Sequence, residues 1–550
     1  DRPVTPAAID HLLQPRRPGI DSAPVLGRLV NTHFAHTESG RYYLHPVDRK
    51  FAISRITDSP LPSLGEGLGV RAALFARAAD YFRKTRLPRA EWKNINDLAP
   101  QLHEFDLRCQ AGDYDTAARV LTDIDGEYLL LWGHYRTMIS MHERLQEKIQ
   151  DVRLKRISVG NLGQALAAIG EVNNAIECYK QSLSMAREAE SRQAEGVWLG
   201  NLGLAYADLG ETRKAIEYHQ QALEISREIG DRRGEGADLG SLGNRYAALG
   251  ETRKAIKYYQ QALEIAREIG DRRGEGNHLS GLAACCYNMG QTQKAIEYQK
   301  NSLAICEEIG DRDGEGASLS ILGSYYMDLG IYDKAKKYFE SALIIASETG
   351  YRYGEGFRLA NLAGVEIELG NIQKAIGFDL QAEQIAKEIS RPDLLNNVYC
   401  DMSIAYLLLD NLSRAEQNAE KACQYKVPTN DHNAQTILGI IALRQNEPAK
   451  AQVAFNAAIT HANEMLVKTP ENYDALDAKG LALCGVALCA DGERETGDRL
   501  EEAREAFCSA RAIMDGAGHV GRVLRLFDAL AVVDREGVLG RGDEMVNCKW

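Results

Sequence analysis

Few stretches of this chain have the residue types and spacing to do chemistry. Gly65-x-Gly67-x-Gly69, inside Pro60 to Gly69, has the glycine density of a phosphate-cradling loop. Such a loop also needs a strand before it and a lysine at fixed spacing after it, and neither is present. The Gly-Glu-Gly triplets beginning at Gly234, Gly274, Gly314 and Gly354 fail the same test and read as inter-hairpin turns. No nucleophile-elbow serine and no His-Glu-x-x-His pair occurs, and the paired acids fall at salt-bridge spacing from Lys and Arg. Arg541-Gly542-Asp543 matches an adhesion tripeptide, a match too short to carry weight. What remains is a ladder of Arg192, Arg232, Arg272, Arg312 and Arg352 with Glu195, Glu235, Glu275, Glu315 and Glu355. One reading is ion pairing between repeats; the other is a stripe, centred on Arg232, Arg272 and Arg312, for an acidic ligand segment. The first reading is structural and the second is recognition; neither is catalysis.

The elements that position the ladder repeat every forty residues. Gly170, Gly210, Gly250, Gly290, Gly330 and Gly370 keep that step, and so do Ala175, Ala215, Ala255, Ala295, Ala335 and Ala375. A fixed period in this range marks a solenoid of one supersecondary unit. In Asp231 to Gly270, Leu239, Leu242, Tyr246 and Leu249 share one helical face, and Ala255, Ile256, Tyr259, Ala262, Leu263 and Ala266 share another. Each unit is therefore a helical hairpin, with Gly250 as the left-handed residue closing the first helix. The small residues imply close backbone approach: Gly243 is expected to face Ala255, and Ala262 to let the next hairpin stack.

Leu239, Leu242, Gly243, Tyr246, Ala255, Tyr259 and Ala262 fall in the order and spacing of the tetratricopeptide (TPR) repeat, which the unit resembles. Arg267 replaces the signature's closing proline within a continued helix. With the forty-residue period this resembles the long-helix repeats of the Pins/LGN and kinesin light chain families. The resemblance implies a mainly α, right-handed superhelix whose first helices line a concave groove. It places Asn161, Gln164, Asn201, Asn244, Ser324 and Asn361 on that groove as hydrogen-bonding groups for a peptide or protein ligand. Gly160, Gly200, Gly240, Ser280, Ser320 and Ala360 would form a small-residue floor that admits a main chain. A carboxylate clamp of the chaperone-binding kind is not implied, because its lysine positions hold Gly, Ser or Ala.

Ahead of the array, Thr5-Pro6 and Ser22-Ala23-Pro24 start two helices, and His33 to Leu44 alternates as a hairpin turning at Glu38-Ser39-Gly40. This helix, helix, wing order and the stretch Tyr43 to Ala52 resemble the winged helix of STAND-class (NB-ARC-like) signalling NTPases. The resemblance gives His45 contact with bound ADP, but only alongside an upstream NTPase core. Pro46 stands where that family has Asp.

Domain bounds follow: 1–59 winged helix, 60–70 linker, 71–150 irregular helical cap, 151–428 regular array, 429–536 divergent repeats, and 537–550 a disordered tail. Solenoid ends must differ from the middle because one face has no neighbour. Trp92, Tyr128, Trp132 and Tyr135 supply bulk to the cap. The formal charge is −13, although residues 1–90 hold an excess of Lys and Arg. An acidic array is a poor nucleic-acid binder, since phosphate recognition needs clustered cations. No run approaches the ~20 apolar residues of a membrane span. The eleven cysteines show no Cys-x-x-Cys or zinc spacing, so reduced thiols, no metal and a cytoplasmic location are expected. The resulting expectation is a non-catalytic sensor half of a STAND NTPase. Its trigger would be a protein, no cofactor would bind this part, and ADP or ATP would belong to the full-length protein, which would oligomerise with itself once activated. The alternative is a stand-alone scaffold bridging protein partners.

Overall fold

The computed structural model describes residues 35–38, 41–44, 67–489, 493–535 and 537–548. The chain divides into two compact units, residues 1–225 and 226–550, and each is taken by itself.

In the first unit, Ala35–Glu38 and Arg41–Leu44 pair antiparallel with Ala35 opposite Leu44 and Glu38 opposite Arg41, the two strands of the expected hairpin; Ser39 and Gly40 of its expected turn lie outside the described residues. The two helices expected before this hairpin, and His45 after it, lie outside the described residues. A helix begins at Gly67, inside the stretch assigned to the linker, and runs to Lys84. The cap follows as helices Ala99–Ala111, Tyr114–Thr122 and Tyr135–Leu145. Gly112 takes a left-handed φ of +77° between the first two, and Asp113 caps the second by accepting from the Thr116 N–H at 3.2 Å. Trp92, Tyr128 and Trp132 stack edge to face at 4.8 and 5.2 Å, over a core that includes Phe105, Leu121 and Met138. Tyr135 is only half-buried. Two helix pairs then begin the array, from Val152–Ala168 to Thr212–Glu228.

The second unit continues with pairs of 17- and 18-residue helices, such as Arg232–Ala248 with Thr252–Ile269. Gly250 and Gly270 end them at φ +74° and +70°, a backbone that costs glycine nothing. Asp231 caps the first helix by accepting from the Gly234 N–H at 3.0 Å, and Asp271 and Asp311 do the same for Gly274 and Gly314. The Gly-Glu-Gly triplets are therefore the opening turns of helices and not loops between hairpins. The reversal falls one step earlier, at Gly230-Asp231 and its equivalents.

Gly243 meets a ring where Ala255 was expected. A Cβ on Gly243 would lie 2.8 Å from ring carbons of Tyr259. Ala255 is fully buried beside that contact.

The region 429–536 holds two further pairs, Asp431–Arg444 with Pro448–Lys468 and Tyr473–Cys489 with Glu493–Ile513, and then a solitary helix, Ala517–Ala531. The tail expected to be disordered forms a helix at Gly542–Asn547. Leu539, Met545 and Val546 bury against the core that contains Phe527, which offsets the cost of ordering the segment. Cys508 and Cys548 are joined in a disulfide, against the expectation of uniformly reduced thiols. The fold is mainly α, a TPR solenoid of tandem helix pairs. No helix among the described residues is long and apolar enough to cross a membrane.

Candidate functional site

Pairing of the two helices in each unit leaves one face of every first helix for neighbours or ligands. On that face Asn161 donates its amide to Asp125 Oδ2 at 2.7 Å, and Asn244 Oδ1 accepts from the Tyr259 hydroxyl at 2.6 Å. Ser280 donates to Gln299 Oε1 at 3.1 Å, and Ser324 to the Ser320 carbonyl at 3.3 Å. These four groups are at least partly committed within the fold. Gln164 and Gly200 are half-buried. By contrast, the buried Nδ2 of Asn201, Oγ of Ser320 and Nδ2 of Asn361 have no hydrogen-bond partner among the described residues. Buried polar atoms are nearly always paired, so each of these three groups has hydrogen-bonding capacity that the fold leaves unused.

The small-residue floor is not open along its length. A Cβ on Gly240 would fall 2.5 Å from the ring of His278, and one on Gly160 would fall 2.0 Å from the ring of Trp198. The residue 38 positions on, from the next first helix, occupies the space assigned to a ligand main chain. Burial lowers the His278 imidazole below its usual range, so that ring packs in the neutral form.

The arginine ladder is internally paired. Arg232 bonds Glu235 three residues on and Glu268 thirty-six residues on. Arg272, Arg312 and Arg352 repeat this with Glu275 and Glu308, Glu315 and Glu348, and Glu355 and Glu388. The spacing of three was visible in sequence; the partner thirty-six residues away was not. These guanidiniums already bridge two carboxylates each, which removes the basis for a vacant acidic-ligand stripe. The far partners Glu268, Glu308, Glu348 and Glu388 are exposed, so those bonds add little stability, whereas Glu235 and Glu275 are largely buried beneath their arginines.

Sequence reasoning also missed what lies on the inner face of the second unit. The solitary helix Ala517–Ala531 packs against the first helices Arg312–Asp328, Asp431–Arg444 and Tyr473–Cys489. Arg522 bonds Asp328 at 2.5 Å, and Arg525 takes both oxygens of Glu368 at 2.7 and 2.8 Å, with Tyr332 donating to the same carboxylate at 3.0 Å. The approach is backbone-close: a Cβ on Gly518 would sit 2.0 Å from the Met327 carbonyl oxygen. Asp328 and Glu368 occupy equivalent positions forty residues apart, as a pair of acids facing Arg522 and Arg525. No spacing in the sequence links those acids to this helix.

Between this helix and the first helices lies a cavity of about 300 Å³, lined by Asn361, Asp401, Asp474, Asp477, His519 and Arg522 among others. Of the predicted site residues it includes Asn361. No three His, Cys, Asp or Glu among the described residues gather so as to hold a metal ion.

The tetratricopeptide repeat model matches residues 156–228, 197–268 and 274–348. No curated protein matches the chain. Among solved structures, a Signal Transduction ATPase with Numerous Domains with a tetratricopeptide repeat sensor, from Pyrococcus horikoshii, is 21% identical over 78% of this chain, with a TM-score of 0.52. The chain spans 61% of that protein's length. A Rap protein complexed with Competence and Sporulation Factor is 14% identical over 68% of this chain and 99% of its own (TM-score 0.45). Aspartyl phosphate phosphatase F from Bacillus subtilis is 17% identical over 59% of this chain and 93% of its own (TM-score 0.44). Likeness at these identities is likeness of fold. The matched segments and the helix-pair geometry agree: the forty-residue units of this chain are tetratricopeptide repeats.

Proposed function

We propose that the chain is the sensor half of a STAND-class NTPase, acting in the cytoplasm, and that its first-helix face binds a protein trigger. The observation that carries the recognition role is the set of orphaned buried polar atoms on that face, at Asn201, Ser320 and Asn361. A main chain laid along the first helices of either unit would satisfy the orphans of that unit. The sensor assignment rests on the fold shared with the P. horikoshii protein and on the winged-helix resemblance ending at His45. On this reading an upstream NTPase core holds ADP against His45, and trigger binding releases that state and permits self-association. The residues of this chain bind and do not catalyse.

The test is photo-crosslinking from a probe at Leu204, an exposed residue one helical turn from Asn201, in full chains with Asn201 intact and with Asn201→Arg, the partner identified by mass spectrometry. A specific protein lost in the Arg variant supports the reading. Equal capture by both forms refutes it, and capture with no NTPase encoded upstream favours the scaffold alternative.

A further inference from the structure

Helix Ala517–Ala531 ties together parts of the second unit that the repeat pattern leaves apart. His519 Nε2 lies 2.8 Å from Asp477 Oδ2 on Tyr473–Cys489, while Arg522 and Arg525 hold Asp328 and Glu368 at the ends of Arg312–Asp328 and Arg352–Glu368. Its entry is equally close, since a Cβ on Gly516 would sit 2.5 Å from the Asp328 carbonyl oxygen. The helix thus spans the first-helix face, and His519, Arg522, Val523 and Leu526 wall the cavity opposite Asn361 and Cys400. It covers the stretch of face on which Asn361, one of the unpartnered groups, stands. Cys400 beneath it is a free thiol, 6% exposed.

The end of the chain holds this helix from outside. Gly542–Asn547 packs on both Glu493–Ile513 and Ala517–Ala531, with Met545 and Val546 buried. A helix of six residues has little stability of its own. Cys508 and Cys548, 5.5 Å apart at Cα, join the two flanks of Ala517–Ala531 and close the whole segment into one loop. Both cysteines are only half-buried, so the bond lies near the surface, and the other nine cysteines are free thiols. A single accessible disulfide in a cytoplasmic chain is of the transient, redox-responsive kind. We infer that Ala517–Ala531 is a strap closing the second unit's first-helix face, and that the Cys508–Cys548 disulfide is its redox latch. A dithiol reductant opens the latch: its thiolate attacks one cysteine sulfur, the S–S bond breaks, and the other cysteine leaves as a thiolate that takes a proton. The reductant's second thiol then displaces the first cysteine and closes the reductant's own disulfide, so two electrons and two protons pass to Cys508 and Cys548. With the latch open, the tail helix loosens and the strap lifts from Asn361. This rests on the first-helix face being the recognition surface and on the cytoplasmic location, and assigns how access to that face is regulated.

The test is pulse alkylation of the full chain with iodoacetamide, read by peptide mass spectrometry at Cys400 beneath the strap and at Cys285, buried in the core around Tyr259. Oxidised wild type is compared with wild type reduced by dithiothreitol and desalted, and with Cys508→Ser carrying Cys548→Ser. Opening the latch should quicken Cys400 labelling by more than about tenfold and leave Cys285 unchanged. Glu368→Gln loosens the strap from its other side with the disulfide intact, and should quicken Cys400 as well. Equal Cys400 labelling in oxidised and reduced wild type overturns the latch, and equal labelling in wild type and Glu368→Gln overturns the covering role of the strap. A rise at Cys285 as large as that at Cys400 also overturns the inference, because the disulfide then stabilises the unit as a whole. These measurements need no trigger, and the Leu204 probe lies in the first unit, so a failure here leaves the broader recognition reading to its own test.

Discussion

Tyr259 presses its ring on Gly243 so closely that a Cβ there would sit 2.8 Å from the ring carbons. The same sixteen-residue pairing recurs as Gly163 with Tyr179, Gly203 with His219, Gly323 with Phe339 and Gly439 with Phe455. Where the first helix carries alanine instead, the second has no ring: Ala283 goes with Gln299, and Ala363 with Asp379. A ring and a Cβ cannot share the space at the hairpin crossing, so the chain varies the two positions together.

Gly243→Ala should therefore destabilise the second unit despite alanine's better helix propensity. Overpacking costs ~1–3 kcal/mol, against a propensity gain of about 1 kcal/mol. Gly243→Ala with Tyr259→Gln, the pairing found at Ala283 and Gln299, should recover part of the loss relative to Gly243→Ala alone. Urea unfolding of the three proteins checks this; additive effects of the two substitutions would show that the contact does not couple them.

Gly240→Leu should damage the fold as well as any binding, because the His278 ring lies 2.5 Å from where its Cβ must go. His278→Ala in the same chain should relieve the clash. A melting temperature unchanged by Gly240→Leu alone would show that the ring moves aside freely and that the floor is open after all.

Two kinds of buried acid should give opposite pH dependences. Asp379 is 0% exposed with neither carboxylate oxygen partnered, and burial, reinforced by the Asp401 carboxyl, raises its pKa well above the usual range. Its favourable contribution is present below the ordinary value near 4 and is lost as pH rises toward the folded pKa. Asp379→Asn should therefore stabilise the protein at neutral and higher pH. Glu366 is the reverse case: burial by itself would raise it, but Lys336, Lys374 and Asn371 donate to it and bring it down to about 2. Its contribution is present above pH ~4 and is lost as pH falls toward about 2. Glu366→Gln should therefore lower the melting temperature at pH 7 and flatten the acid limb of the stability curve. Thermal melts from pH 2 to 9 for both variants read out each sign.

Glu368→Gln should loosen Ala517–Ala531, since it removes the carboxylate that Arg525 grips with two bonds. Breaking one side of a largely buried pair typically costs a few kcal/mol because the other charge is left uncompensated. Hydrogen exchange in residues 517–531 should quicken markedly, with little change in Thr252–Ile269. Unchanged protection of the solitary helix would mean that its apolar face, not the ion pairs, holds it down.

The forty-residue period, the paired helices, the left-handed glycines and the short antiparallel strands Ala35–Glu38 and Arg41–Leu44 were legible in sequence because each depends on residues a few positions apart. Helix periodicity, caps and turns are local consequences of backbone sterics and hydrogen bonding. The near half of the arginine ladder, Arg232 with Glu235, belongs to the same class. Its far half at Glu268, the His278 ring over Gly240, the ordered tail on Phe527, and the docking of Arg522 and Arg525 on Asp328 and Glu368 were not legible. Each joins residues whose separation in sequence says nothing of their distance in space. A repeat pattern predicts what one unit does to the next, but Ala517–Ala531 repeats nothing, and only packing against three first helices decided where it lies. The sequence by itself determined a ladder of helix pairs with a polar inner face. Tertiary structure decided which groups on that face are already used, at Asn161 and Asn244, and which are left unpartnered, at Asn201, Ser320 and Asn361, because a hydrogen bond is claimed by whatever the fold brings within 3 Å of it.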